Sequence, residues 1–549
     1  MSFKNYLSKH KTNILLLCIL LLASALRFLN LGKIPSGSTS DEATYIYNAY
    51  SIFFTHKDIA GNLLPLSFNF YNSFSPVPIY LMAPFVGLLN VSLFSGRLLF
   101  AITGVLDVLL IFLFAARITQ NKKIALLSAL MLSVSPWHIQ FSRISYDASL
   151  ALFFYLLGSY IFISVKNIKG VLLSVIAFLL GFYSYHATKF FFLFFVPLLL
   201  YFSWPDIKKR KNEIILFVVG SVFILLSFIW ILITQHVSRQ QILIGNNSPA
   251  VSSAVNLERT YNTAPLAVRP IFSNKLLSYI KLISGNYLGA FSTEYLFIDG
   301  EAGDNAKIYG TTNRGALYFV DLPFLIFGLL YFLKGNKKVR NFVFIGLLIA
   351  PIPSAIAIDI SYGARSIMML PFLVIIIGAG IYYFFELLKN KKSLYYAMLL
   401  FVSVLYFFAF SLYVYQYQFR YSIYGAEAWN RSSRDLVEYV ASVKEKYTNV
   451  YIADSGGLLM QYGLFNKLNP KEAQAVYNQA LPKRLGNISF IGNCIKSSKG
   501  TFILSSQNLP PNTLYAFPDG CYKKVIGHRV KTIIDVGEPL HTVWDLYSN

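Results

Sequence analysis

The chain has 549 residues, 55% of them hydrophobic and 13% charged, with a formal net charge of +23. Soluble domains carry about twice that share of charge, and buried helices of soluble folds rarely run as long without one. The basic residues fall in short clusters between apolar runs, the pattern of membrane topology, which argues against a nucleic-acid partner.

Runs of about 18 apolar residues cross the hydrocarbon core as a helix. The first candidate span, 12–30, follows Lys4, Lys9, His10 and Lys11 and imitates a signal peptide. Arg27-Phe28-Leu29-Asn30 stands where a small-residue cleavage site would be, so the span is read as uncleaved. Two amphipathic or proline-broken segments, 43–54 and 76–92, read as helices lying along the interface. Further spans are expected at 96–117, 123–137, 147–165, 170–186, 188–204 and 213–234. After a long polar stretch come 316–333, 341–358, 366–388 and 393–415.

The tail from 416 loses membrane character. It has polar turns such as Asp454-Ser455-Gly456-Gly457 and β-like runs at 449–453 and 500–504. The fold class expected is a polytopic α-helical membrane protein of about eleven spans, residues 1–415. A small extracytoplasmic α/β domain follows at 416–549, a length sufficient for one.

Orientation comes from six basic clusters: Lys4/Lys9/Lys11, Lys122/Lys123, Lys166/Lys169, Lys208-Lys209-Arg210-Lys211, Lys334/Lys337/Lys338/Arg340 and Lys389/Lys391/Lys392. They occupy every second inter-span position and so mark the cytoplasmic side of the plasma (inner) membrane, with the N-terminus. The long segments 31–95 and 235–315 and the tail fall on the opposite side. Dropping the short third span would reverse every later loop. Cys18 lies in the first span; for Cys494 and Cys521 in the tail, a disulfide and two free thiols both stand open.

The chemistry concentrates on the outer side. In Thr39-Ser-Asp41-Glu42-Ala-Thr-Tyr45, Thr39 and Glu42 have capping-box spacing and Asp41 sits in the first helical turn. The plain reading is two acids that start a helix. Yet Asp41, Tyr45 and Asn48 share one face, and a carboxylate at the bilayer boundary is costly enough to suggest function. Trp137, His138, Arg143 and Asp147 lie at the outer ends of the third and fourth spans. Tyr183, Tyr185, His186 and Lys189 occupy the next outer hairpin, and Asp359, Tyr362 and Arg365 another. The long loop adds Glu294, Asp299, Glu301, Asp304 and Arg314, and Asp107 is mid-span. A carboxylate can take a proton from an acceptor hydroxyl, and cations stabilise a departing phosphate. Nucleotide sugars are not expected outside the cytoplasm, so an activated donor would arrive on a lipid phosphate. Arg143, His186, Lys189 and Arg365 are candidates for that phosphate by location and charge.

Thr39-Ser-Asp41-Glu42-Ala-Thr-Tyr45, Pro76-Val-Pro78-Ile-Tyr80, Ser95-Gly-Arg97, Ser135-Pro-Trp-His with Arg143, Tyr185-His186 and Gly363-Ala-Arg365 together resemble the GT-C fold glycosyltransferases. The similar branch is the bacterial one related to protein O-mannosyltransferases and lipid A aminoarabinose transferases, over about residues 10–415. The resemblance implies inverting transfer from a polyprenyl-phosphate sugar donor on the extracytoplasmic face. The acceptor would be a hydroxyl or phosphate of a lipid, glycan or protein. It makes Asp41 the catalytic base, Glu42 its orienting or helix-capping neighbour and Asp147 a second acid, with Tyr45 and His138 among the substrate-binding residues. No cofactor is expected, although some fold members hold a divalent metal with their acids; no His/Cys cluster here has ligand spacing. The segments 43–54 and 76–92 would roof a cavity, and loop 235–315 would cover the donor. The competing readings are a flippase of lipid-linked sugars, which calls for inverted repeats and midplane charges, and a polysaccharide polymerase or ligase using a diphosphate-linked donor.

Overall fold

A computed structural model of the chain describes residues 3–70, 73–207, 210–234, 249–303, 306–310, 314–357, 361–454, 457–492, 511–519, 527–537 and 541–548. Lys208, Lys209, Asp304, Asp359, Cys494, Cys521 and the run 500–504 lie outside the described residues.

The first half runs α1 (Phe3–Phe28), α2 (Ser40–Thr55), a β1–β2 hairpin (Phe68–Asn69, Ser73–Phe74), α3 (Pro76–Leu88), α4 (Leu93–Thr119), α5 (Lys122–Val134), α6 (Pro136–Phe141), α7 (Asp147–Ser164), α8 (Ile168–Ser184), α9 (Thr188–Ile207) and α10 (Lys211–Thr234). The long loop holds α11 (Pro249–Thr260), α12 (Arg269–Phe272), α13 (Lys275–Gly289) and α14 (Ala306–Tyr309). Then come α15 (Asp321–Lys334), α16 (Lys337–Ile349), α17 (Ile352–Ala355), α18 (Tyr362–Arg365), α19 (Leu370–Leu388) and α20 (Lys392–Tyr415). A helix therefore stands at each of the eleven expected spans. Seven helices among the described residues are long and apolar enough to cross a membrane by length and composition; α3, α8 and most of α9 form shorter apolar helices.

The sequence sets the ends. Asn121, Asn167 and Asn336 each accept backbone N–H groups as N-caps of α5, α8 and α16, the role for which a short amide side chain is suited. All three precede lysines of the basic clusters. Pro136 at the first position of α6 stops α5 after 13 residues. The core runs through α19, whose residues Leu370–Ile381 are all buried. There α15 and α19 meet backbone to backbone: a Cβ on Gly328 would lie 1.9 Å from the Ile376 carbonyl oxygen, and one on Gly380 1.8 Å from that of Phe324. Small residues permit such helix approach in membranes.

Contacts fix which helix ends lie together. Arg143 reaches the carbonyls ending α1, Arg97 at the start of α4 holds the loop after α1, and Tyr318 before α15 bonds the last residue of α5. At the other end, Arg117 and Arg210 bond carbonyls ending α7, Lys123 lies over Tyr382 and Lys338 over Phe202. Lys123, Arg210 and Lys338 of the basic clusters thus lie at the helix ends away from the contacts of Arg143, Arg97 and Tyr318.

The C-terminal unit begins with α21 (Tyr421–Tyr424) and α22 (Arg431–Val443), followed by β3 (Asn449–Ile452), α23 (Leu458–Asn466), α24 (Pro470–Tyr477), β4 (Lys483–Leu485), β5 (Ile488–Phe490), β6 (Thr513–Pro518), β7 (His528–Asp535) and β8 (His541–Ser548). The sheet order is β4-β5-β3-β6-β8-β7, with β3 parallel to β5 and β6 and the other pairs antiparallel. One face of the sheet packs Val450, Leu514 and Leu546 against Leu436, Val440 and Leu459 of α22 and α23.

This unit is tied to the first outer loop. Ser38 Oγ donates to Gln461 Oε1 (2.9 Å), and Gln461 Nε2 returns a bond to the Ser38 carbonyl (3.1 Å). Arg434 bonds the Ser36 carbonyl, Tyr47 the Leu468 carbonyl, and Gln474 Nε2 reaches Ser51, Thr55 and the Asp58 carbonyl. Gly37 passes so close to Trp429 that a Cβ would lie 2.0 Å from its carbonyl oxygen. The expectation for 43–54 is corrected here: α2 is not an amphipathic helix on the interface. Ten of its 16 residues are buried, and it lies between α3 and the helices α23 and α24.

Candidate active site

The site is built where α2 and α7 begin. Thr39 accepts the Glu42 N–H at 3.0 Å and caps α2. The reciprocal half of the capping box is not made, because the Glu42 side chain turns to Arg97. Arg97 Nε and Nη2 reach the two Glu42 oxygens, each at 2.8 Å, and both residues are buried. Arg97 also donates to the carbonyls of Leu31, Pro35 and Gly37, and Glu42 Oε1 accepts the Ser145 N–H at 2.9 Å. Such a two-pronged pair fixes geometry as well as charge. Glu42 is thereby committed to holding together the loop after α1, the start of α4 and the turn before α7.

Its neighbour Asp41 is half-buried. Asp41 and Asp147 both bear electrostatically on the phenol of Tyr309. Asp147 is buried in the first turn of α7, where the helix N-terminus favours a negative charge. Its Oδ2 accepts Tyr45 Oη at 2.9 Å and Ser75 Oγ at 3.4 Å, so the sequence-predicted Tyr45 positions Asp147. Tyr309 donates to Tyr146 at 2.8 Å and stacks on Phe141, while Tyr185 packs edge-on to Tyr146. Burial above all pushes the Tyr146 and Tyr309 phenols above their ordinary range; neighbouring tyrosines and Asp147 add to it for both and Asp41 for Tyr309, whose hydrogen bond to Tyr146 works the other way. Both therefore act as neutral hydrogen-bonding groups. A cleft lined by Trp137, Tyr295, Glu301, Tyr309 and Arg314 shares Tyr309 with this cluster.

The predicted cations divide. His186 and Lys189 stay on the outer hairpin, 3.3 Å apart, with Lys189 over the Phe228 ring at 4.2 Å. Tyr185 joins that hairpin to Tyr146. Arg365 ends α18, a turn held by Glu301, which accepts the Tyr362 and Gly363 N–H groups, and by Trp137, which donates to the Gly363 carbonyl. Arg143 is turned inward: buried, it donates to the carbonyls of Leu26, Arg27 and Ile34 and lies over the Tyr417 ring. His138 is likewise enclosed, with Nδ1 2.6 Å from Arg27 Nη2 and Nε2 3.2 Å from Asp107. Since Arg27 has no lone pair to offer, His138 Nε2 carries the hydrogen and donates to Asp107. The mid-span Asp107 finds its partner there.

Sequence reasoning gave no site role to Arg97, Tyr146 or Tyr309. Arg97 was findable as a charge at the outer start of a span; nothing around Tyr309 distinguishes it from other loop tyrosines. Among the described residues no three His, Cys, Asp or Glu side chains come together as a metal site.

The sequence model of the family described as dolichyl-phosphate-mannose-protein mannosyltransferase matches residues 73–233. No curated protein matches the chain by sequence. Among solved structures, ArnT from Cupriavidus metallidurans bound to undecaprenyl phosphate is similar over 98% of both chains, with 12% identity and a TM-score of 0.52. Its apo form matches over 97% of both, with 11% identity and a TM-score of 0.51. The oligosaccharyltransferase AglB from Archaeoglobus fulgidus, in complex with an inhibitory peptide and a dolichol-phosphate, gives 14% identity and a TM-score of 0.48. The chain covers 64% of that protein's length, with 84% of its own residues aligned. From the bundle, the outer loop docked beneath a C-terminal sheet unit and the end-to-end match with ArnT, the chain has the GT-C fold of membrane glycosyltransferases.

Proposed function

We propose that the protein transfers a sugar from a polyprenyl-phosphate carrier to an acceptor hydroxyl or phosphate at the extracytoplasmic membrane face, with inversion. The observation that carries this reading is the division of labour in the Asp41-Glu42 pair. Glu42 is consumed by Arg97, while Asp41 stays half-buried beside Asp147 and Tyr309. Partial exposure and the influence it shares with Asp147 on Tyr309 put the Asp41 carboxylate in the cluster that holds the second acid. The mannosyltransferase family match over 73–233 and the undecaprenyl phosphate bound by the similar ArnT support a lipid-linked donor.

With a hydroxyl acceptor, Asp41 takes the proton as the acceptor oxygen bonds to the anomeric carbon. The bond from that carbon to the carrier phosphate breaks, and its electron pair leaves with the phosphate. With a phosphate acceptor the attacking oxygen is already ionised, and Asp41 orients rather than deprotonates. His186, Lys189 and Arg365 are the proposed cations for the donor phosphate. Arg143 and His138 serve by holding the α6–α7 turn that presents Asp147. The pairing of a general base with a phosphate-binding cation favours transfer over flipping of the intact donor.

The test is Asp41→Asn in full-length protein reconstituted with a panel of polyprenyl-phosphate sugars. Transfer is expected to fall about 10²–10⁴-fold, the usual worth of a positioned base, with thermal stability unchanged. Wild-type transfer by this variant overturns the base assignment, and a panel in which no donor gives product overturns the reaction class.

A further inference from the structure

The long outer loop carries a face that sugar transfer does not explain. Along 249–289, Tyr261 is 82% exposed, Leu266 79%, Phe272 70% and Leu276 68%, and Leu257, Ile271, Ile280 and Leu288 are more than half exposed. On α13, Leu276, Ile280 and Ile283 fall within roughly 60° of one face at helical spacing. Large contiguous apolar patches mark a contact surface.

Two further observations say what the contact is. The end of α13 is pinned to the outer ends of neighbouring helices, Asn286 Nδ2 to the Ala357 carbonyl and Tyr287 Oη to the Leu348 carbonyl, both at 2.8 Å. This end of the arm therefore lies beside the end of the candidate membrane span Lys337–Ala355. Its charge is also one-sided. Residues 249–289 hold Arg259, Arg269, Lys275 and Lys281 against one acid, Glu258. Arg259 and Arg269 fold the arm by bonding the carbonyls of Ser273 and Ala264. Lys275 and Lys281 stand exposed on the helix that carries the apolar stripe. An apolar face with lysines beside it suits a helix lying in a headgroup layer.

We propose that residues 249–289 form an arm laid into the outer leaflet surface, its apolar face in the acyl boundary and Lys275 and Lys281 on anionic phospholipid headgroups. The experiment follows backbone hydrogen exchange over 275–289 in the full chain, in nanodiscs of phosphatidylcholine alone and of phosphatidylcholine with phosphatidylglycerol. Exchange is expected to be about thirtyfold slower with the anionic lipid, the attraction of two lysines to a charged surface. Lys275→Gln with Lys281→Gln is expected to abolish the difference while leaving exchange elsewhere unchanged. Equal rates in the two bilayers overturn the proposal. So does slowing that needs added undecaprenyl phosphate, which assigns the lysines to the carrier, or slowing that follows protein concentration at fixed lipid, which assigns the face to a second copy. The readout does not depend on sugar transfer, so it stands or falls apart from the reaction proposed above.

Discussion

Replacing Arg97 by Met keeps an unbranched apolar stem and removes the guanidinium and its charge. Glu42 is then a buried carboxylate with no cation, and the carbonyls of Leu31, Pro35 and Gly37 lose their donor. Stranding one member of a buried ion pair costs about 3–5 kcal/mol. At 1.4 kcal/mol per tenfold, that is an opening equilibrium shifted by roughly 10²–10³-fold or more. Hydrogen exchange of the amides from Gly37 to Tyr45, in the full chain, reads the opening of this loop directly. Arg97→Met is expected to speed it by that factor, and Asp41→Asn to leave it unchanged. The double variant Arg97→Met/Glu42→Leu removes both charges, and its exchange should be slower than the two single effects multiplied, by a coupling of about 2–3 kcal/mol. Multiplicative effects, or an Asp41→Asn loop that opens as freely as Arg97→Met, would refute the assignment of Glu42 to structure and Asp41 to chemistry.

His138→Leu leaves Asp107 without the hydrogen-bond donor that holds it, and is expected to lower stability by about 1–3 kcal/mol, read as a lower midpoint in a thermal series; an equally stable His138→Leu chain with selective loss of transfer would instead place His138 in the reaction. Gly37→Ala drives a methyl against the Trp429 carbonyl and is expected to cost about 1–3 kcal/mol. Its signature is faster proteolysis at the junction of the outer loop and the C-terminal unit, with the helix bundle intact.

The helices were legible from the sequence because lipid imposes a length and a hydropathy that single residues report. Partners across the chain were not legible. Nothing local says that Glu42 meets Arg97 or that His138 meets Asp107, and a buried Arg143 reads the same in sequence as an exposed one. The interface reading of 43–54 failed for a related reason. A helix with apolar residues on several faces is equally suited to lipid and to a docked domain, and only the tail, over 400 residues away, decides between them.

That distance has a consequence for how the molecule is made. Ser38 and Gln461 are 423 positions apart, and synthesis proceeds at about 5–20 residues per second. The segment that carries Asp41 therefore waits on the order of 20–85 s for the groups that clamp it in place. Until then Arg97 and Arg143, made early, are what hold the loop, so its two clamps close in sequence, the one within the helix bundle first and the one to the C-terminal unit last.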